Sequence, residues 1–220
     1  TSRVVPLMCT LYLLAALTIL VLHAGAIPGA LLSIVEGAFV PEGVVGGAIG
    51  AFVIGMRRAV YSTEAGIGVS TMVHAAAKTR EPVSQGVVAS IEPFLDTIVV
   101  NSMTALVIVG TGAYRLEGLN DIQMTSAAFG SVIWWFPYIL AVCVLLFAFT
   151  TIISWSYYMS RVWSFLLGHS ALSTRVYRVL FCVALIPGGV LTMQQAIDFI
   201  DSLVVLVTIP NIIGLYFAAP

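Results

Sequence analysis

From residue 4 to residue 35, and again from 122 to 160, the chain carries no Asp, Glu, Lys or Arg. An uncharged apolar run of about 20 residues is long enough, as a helix, to cross a hydrocarbon layer roughly 30 Å thick, and both runs exceed that length. The scarcity is general: 9 Lys and Arg and 10 Asp and Glu occur in 220 residues, of which 60% are apolar. A soluble domain is roughly a quarter charged, so a globule of this composition would lack the polar surface to cover itself. Disorder is excluded for the opposite reason, an excess of apolar surface to bury. The solvent is a bilayer. A net charge of −1 with no basic tract excludes nucleic-acid binding by charge. Cys9, Cys143 and Cys182 are too scattered for a disulfide framework or a metal-ligand spacing and read as small hydrophobes.

The charge-free stretches divide the chain into six spans, at 5–24, 43–77, 86–112, 131–153, 179–196 and 203–219. Arg57 and Arg58 interrupt the second, and the third holds Glu92 and Asp96 in its first half. The first lacks a small-residue cleavage site and is not a signal peptide. Alternating the spans puts Arg3, Arg57, Arg58, Lys78, Arg80, Arg161, Arg175 and Arg178 on one side of the membrane and Arg115 alone on the other. Glu36, Glu42, Glu117, Asp121, Asp198 and Asp201 fall with Arg115. Lys and Arg collect in short cytoplasmic loops, so both ends of the chain are expected in the cytoplasm of a multi-pass cell-membrane protein. Residue 1 is not Met and lies close against the first span, and Pro220 follows the last span directly, which predicts a piece of a longer protein with further spans upstream.

Chemistry concentrates where polar residues enter the spans. Residues 46–78 carry Gly46, Gly47, Gly50, Gly55, Gly66 and Gly68, and the first three suit close packing of small residues against a neighbouring helix. Ser62, Thr63, Glu64, Ala65 and Gly66 place hydroxyls, an acid and a flexible residue where an apolar span should continue. Such a cluster is either a helix interruption lining a site, as in secondary transporters, or a loop start beyond Arg58 with Ser62 as helix cap and Gly66 as turn. Glu92 and Asp96 share a helical face with Pro93 between them, and Thr97, Asn101 and Thr104 continue a polar strip. A carboxylate inside a span is a functional-site candidate, and interhelical hydrogen bonding is the structural alternative. Thr150 and Thr151 offer oxygens that suit a hard cation such as sodium, or that bond their own helix backbone. Tyr157, Tyr158 and Trp163 read as interfacial anchors. Thr208, Pro210 and Asn211 break the last apolar run. His23, His74 and His169 lie in separate segments with no partner at ligand or catalytic spacing, which argues against an enzyme.

Residues 58–68, RAVYSTEAGIG, resemble the R-G-x-F-S-N-E-A-G-x-G signature of the alanine or glycine:cation symporters, the sodium:alanine symporter family. The resemblance continues in order through HAAAKT at 74–79, PVSQG at 82–86, FLDTIVVNSMTALVI at 94–108, FAFTTIISWSYY at 147–158 and IPNIIGL at 209–215. It implies an all-α polytopic membrane protein with the LeuT-type inverted-repeat fold of the APC superfamily, incomplete and with about six transmembrane helices. Residues 1–26 would be the last helix of the first repeat, 27–42 an extracellular loop or short helix, and 43–220 the second five-helix repeat. The family's G-T-G-N segment, in the first repeat, is absent here.

On this resemblance the function is sodium-coupled symport of a small neutral amino acid, alanine or glycine, by alternating access. Ser62, Thr63, Gly66 and Trp155 would contact substrate, Thr150 and Thr151 would ligate sodium, and Glu64, Asp96, Thr97, Asn101 and Asn211 are further functional polar residues. Sodium is the coupling ion, with no other cofactor. The alternative is proton coupling, or a non-transporting membrane protein of the same superfamily whose polar residues pack helices. Thr63 stands where the family usually has Asn, Ala59 where it has Gly, Asn101 where Cys is common, and Met159 and Ser160 where Gly and Glu follow the paired tyrosines. The exchange at Thr63 loses an amide donor pair and bears on substrate preference.

Overall fold

The computed structural model describes residues 3–39, 47–64, 66–119 and 121–218. The expected start of the second span at 43, with Glu42 and Gly46, lies outside them, as do Ala65 and Pro220. Every element among the described residues is helical: α1 (Val4–Leu22), α2 (Ile27–Phe39), α3 (Gly47–Thr63), α4 (Val69–His74), α5 (Pro82–Pro93), α6 (Ser102–Gly110), α7 (Asp121–Gly130), α8 (Phe136–Leu167), α9 (Ala171–Val190) and α10 (Met193–Ala218), with short 3-10 turns at Ala24–Ala26 and Ala113–Arg115. A π-helical stretch, Phe94–Asn101, joins α5 to α6 without a gap. Helices are what a bilayer demands, because each backbone N–H and C=O must find a partner within its own segment. Among the described residues, five stretches are long and apolar enough to cross a membrane: Val4–Leu22, Pro82–Gly110, Phe136–Leu167, Ala171–Val190 and Met193–Ala218. This is an all-helical, multi-pass architecture. The sequence expected as the second span holds α3 and α4, with non-helical backbone between them.

Several helix limits depart from the charge-based reading, because a charge ends a span without ending a helix. The fourth span, read as 131–153, corresponds to α8, whose 32 residues extend about 48 Å at 1.5 Å per residue. Nothing stops it before Gly168, which takes a left-handed φ of 81° and closes the helix with its N–H on the Ser164 carbonyl at 3.0 Å. Ser170 then caps α9 by accepting the Ser173 N–H at 3.1 Å. The fifth and sixth spans, read as 179–196 and 203–219, instead meet at Leu191 and Thr192. There the Gln195 side chain accepts the Thr192 N–H at 3.0 Å while the Gln195 N–H donates to the Thr192 hydroxyl at 3.4 Å, a reciprocal capping box. Asp198 and Asp201 therefore lie inside α10 and not in a loop before it.

The chain forms two compact units, residues 1–63 with 86–150, and residues 64–85 with 151–220. The first is built on α1, α6, α7 and α8, whose Ala15, Ala16, Ile19, Val107, Ala128, Phe129, Phe136 and Leu140 share one buried cluster with Ala113. Phe129 lies between Tyr12 and Phe136, with ring centroids at 5.3 and 4.9 Å. Ala16 and Ala128 are completely buried, so close approach there depends on the single methyl. Ala128→Leu is expected to cost about 1–3 kcal/mol through overpacking, read as a lower unfolding temperature in detergent, whereas Ala184→Leu on an exposed face of α9 leaves it unchanged. In the second unit, Tyr177 of α9 is buried and donates its hydroxyl to the Ser156 carbonyl of α8 at 2.7 Å. Trp163 pairs with the Tyr177 ring at 5.7 Å and donates its indole N–H to Ser173 at 2.9 Å. Trp163, read as an interfacial anchor, thus packs α8 onto α9, as expected of an indole that finds a partner for its N–H.

Candidate functional site

In the first unit the polar residues of α3 and of the π-helical stretch meet. Ser62, in the last turn of α3, donates its hydroxyl to the Asp96 carboxylate. The reading in which Ser62 caps a following helix is therefore replaced: α3 runs through Arg57 and Arg58 and ends only after Thr63. Thr63 turns its hydroxyl onto the Ala59 carbonyl one turn back, at 2.9 Å, as threonine does where lipid offers no other acceptor. Asp96 is positioned by a sequence-encoded irregularity. Pro93 supplies no N–H to the turn before it, and the helix widens to π winding at Phe94. Such widenings cluster at functional sites. Thr97, half-buried, and Asn101, exposed, share this stretch with Asp96.

The end of α3 carries the partial negative charge of a helix C-terminus. Asp96 adds a carboxylate and Ser62 a hydroxyl oxygen, so this corner is organised for positive charge. The far end of the polar strip has a different role: Thr104 hydrogen-bonds the Tyr12 hydroxyl of α1 at 2.6 Å and its own Val100 carbonyl at 2.9 Å. That end is interhelical packing, for which the sequence offered no sign beyond two hydroxyls 92 residues apart.

In the second unit the backbone after α3 leaves the helix at once. Glu64 has φ 53°, Gly66 φ 81° and Gly68 φ 91°, conformations that reverse helical winding and that glycine adopts without steric cost. The Ile67 N–H reaches the Glu64 carbonyl at 3.4 Å, and α4 begins at Val69. Asn211 of α10 comes to this segment, donating its side-chain amide to the Gly66 carbonyl at 2.9 Å. The two residues are 145 positions apart, and no local pattern announces their pairing. Gln85 approaches the His74 imidazole Nδ1 at 2.7 Å, tying the start of α5 to the end of α4. Trp155 is half-buried and lies against the Tyr158 ring at 6.2 Å.

Thr150 and Thr151 are neighbours on α8, about 100° apart around the helix. Thr150 is half-buried and donates to the Phe147 carbonyl at 2.9 Å; Thr151 is exposed. Each retains oxygen lone pairs that can face a cation, and Thr150 keeps its hydroxyl proton on its own backbone while doing so.

The model of the family described as "Sodium:alanine symporter family" matches residues 1–220. An uncharacterized transporter of Haemophilus influenzae is 36% identical over 224 residues, covering 98% of this chain and 48% of its own length. The sodium/alanine symporter AgcS of Methanococcus maripaludis is 34% identical over 219 residues, 98% of this chain and 48% of that protein. A "probable sodium/glutamine symporter", GlnT of Bacillus subtilis, is 32% identical over 217 residues, again 98% of this chain and 45% of that protein. The chain spans about half the length of the curated relatives it matches.

Proposed function

We propose, from the premise that this chain belongs to the sodium:alanine symporter family, that the complete protein moves a small neutral amino acid, alanine or glycine, inward together with sodium. The family is one of transporters, so the reading is transport and not catalysis. The observation that carries it is the left-handed backbone at Glu64, Gly66 and Gly68, which follows the Ser62–Asp96 contact in the chain, beside long apolar helices. An amino acid brings an ammonium group, and sodium brings a second positive charge. A helix C-terminus, hydroxyl oxygens and a carboxylate favour such charges. In this reading Ser62, Thr63, Gly66 and Trp155 serve the substrate, Thr150 and Thr151 serve sodium, and Glu64, Thr97, Asn101 and Asn211 support them.

The same reading assigns the fold as the LeuT type, with residues 1–26 as the last helix of a first repeat and 43–220 as the second repeat. The rest of the site would come from a first repeat upstream, and both ends of this chain would face the cytoplasm of the cell membrane. Sodium drives the cycle if it binds with substrate in one orientation only, so that its gradient biases the population of the other. The test is uptake of labelled alanine by the complete protein in proteoliposomes, with an imposed sodium gradient or with choline in its place. Uptake is expected to fall to the protein-free background in choline. Equal uptake in the two media would show that sodium is not coupled, and uptake that follows an imposed pH gradient instead would assign the coupling to protons.

A further inference from the structure

The strongest unassigned feature is the way α10 grips the interrupted segment within the second unit. The Asn211 amide nitrogen donates to the Gly66 carbonyl at 2.9 Å. The other face of the same side chain fills the space where Gly68 has no side chain: a Cβ built on Gly68 would lie 2.6 Å from Asn211 Oδ1 and 2.8 Å from its Cγ. Gly66 and Gly68 both have left-handed φ. Gly66 has nothing within 4 Å of a built Cβ, and neither has Gly112, another left-handed glycine, at φ 74°. Gly68 alone of these three combines the special φ with a side chain seated against it. Pro210, immediately before Asn211, interrupts the donor ladder of α10 and is the local irregularity at this contact.

Unwound backbone inside a membrane leaves carbonyls in need of donors, and an unmet one is costly. Asparagine suits the task because it is neutral and offers two N–H donors from a short stem. We propose that Asn211 is a positioning residue: it holds Gly66 and Gly68 in their left-handed form, and through it α10 sets the shape of the interruption at which the amino acid binds. The inference rests on the transport reading for its consequence and on the geometry alone for its mechanism. Without Asn211 the segment samples helical and other conformations, and apparent affinity falls in proportion to the fraction that remains competent.

Two measurements on the complete protein test this. The first needs no transport: hydrogen exchange of the peptide covering residues 64–74, in lipid nanodiscs without substrate. Asn211→Leu keeps the shape of the side chain and removes its polar atoms, and exchange is expected to speed by about tenfold there with the unfolding temperature nearly unchanged. Equal exchange in Asn211→Leu and the native protein overturns the proposal, as does faster exchange spread evenly over all helices. The second is alanine uptake, in which Asn211→Leu raises half-saturating alanine by about tenfold with less than a twofold change in maximal rate; a fall in maximal rate alone counts against it. If the native protein takes up no alanine, the transport reading fails while the exchange result stands by itself. Should Asn211→Leu misfold, Gly68→Ala decides: its effect on exchange is expected to shrink in an Asn211→Ala background, where the clash is relieved, and strictly additive effects overturn the contact. Gly112→Ala, which has the φ penalty without the contact, should leave residues 64–74 unaffected.

Discussion

Asp96→Asn is expected to lower sodium-dependent uptake by the complete protein by a hundredfold or more while the protein still reaches the membrane. The size of the effect separates two roles for the carboxylate. If Asp96 only packs α3 against the π-helical stretch, the most that can be lost is one interhelical hydrogen bond, worth about 0.6 and at most about 1.7 kcal/mol. At about 1.4 kcal/mol per tenfold that is roughly threefold to fifteenfold. If its charge holds a cation, the loss is electrostatic: opposite unit charges about 4 Å apart attract by about 4 kcal/mol at an effective dielectric of about 20, several hundredfold in affinity. Asparagine isolates the charge, because its carbonyl oxygen can still accept from the Ser62 hydroxyl that Asp96 now accepts. Ser62→Ala is the complement, keeping the charge and removing the hydrogen bond, and should cost only a few-fold. Uptake by Asp96→Asn within about fifteenfold of the native protein would assign Asp96 to packing.

The membrane class, the multi-pass helical architecture and the polar interruptions were legible because they depend on composition and local pattern. A bilayer permits little else to an uncharged run of this length. The interruption after Thr63 was legible as one of two alternatives, since a cluster of hydroxyl, acid and glycine marks irregular backbone without saying whether Ser62 ends one helix or starts the next. The structure shows that α3 ends after Thr63, with the Ser62 hydroxyl on Asp96, which lies 34 residues on. Helix ends were read poorly where charge stood in for capping chemistry. Arg175 and Arg178 are helical residues of α9, and the true stop before α10 is the Thr192–Gln195 box, a pattern present in the sequence but masked by the surrounding apolar run. Pro93 announced an irregularity, yet a kink, a helix start and a π widening all begin from the same missing donor. The Asn211–Gly66 and Tyr12–Thr104 pairs were not legible at all. Each joins residues far apart in the chain, and their meeting is set by packing of whole helices and not by any spacing.

Thr151→Ala is expected to raise the sodium concentration for half-maximal uptake by roughly tenfold to a hundredfold, with Thr151→Ser close to native. The range follows from losing one oxygen partner of an ion, about 1.5–3 kcal/mol for hydrogen-bond-like contacts to charged groups, at about 1.4 kcal/mol per tenfold. Serine keeps the oxygen and drops only the methyl. Thr150 and Thr151 differ in what else their hydroxyls do. Thr150 donates to the Phe147 carbonyl, so Thr150→Ala also removes a local bond within α8, whereas Thr151 is exposed on the helix and its loss tests oxygen ligation with less disturbance. The sodium titration distinguishes a ligand from a packing residue. A weakened ligand is overcome by mass action, and uptake returns to near the native maximum at high sodium. A packing defect lowers the maximum at every sodium concentration. Linkage adds a second check, because a residue that couples sodium to substrate must make alanine affinity depend on sodium in the same measure as sodium affinity depends on alanine. If Thr151→Ala shifts alanine half-saturation equally at low and at saturating sodium, Thr151 acts on the substrate and the ion lies elsewhere.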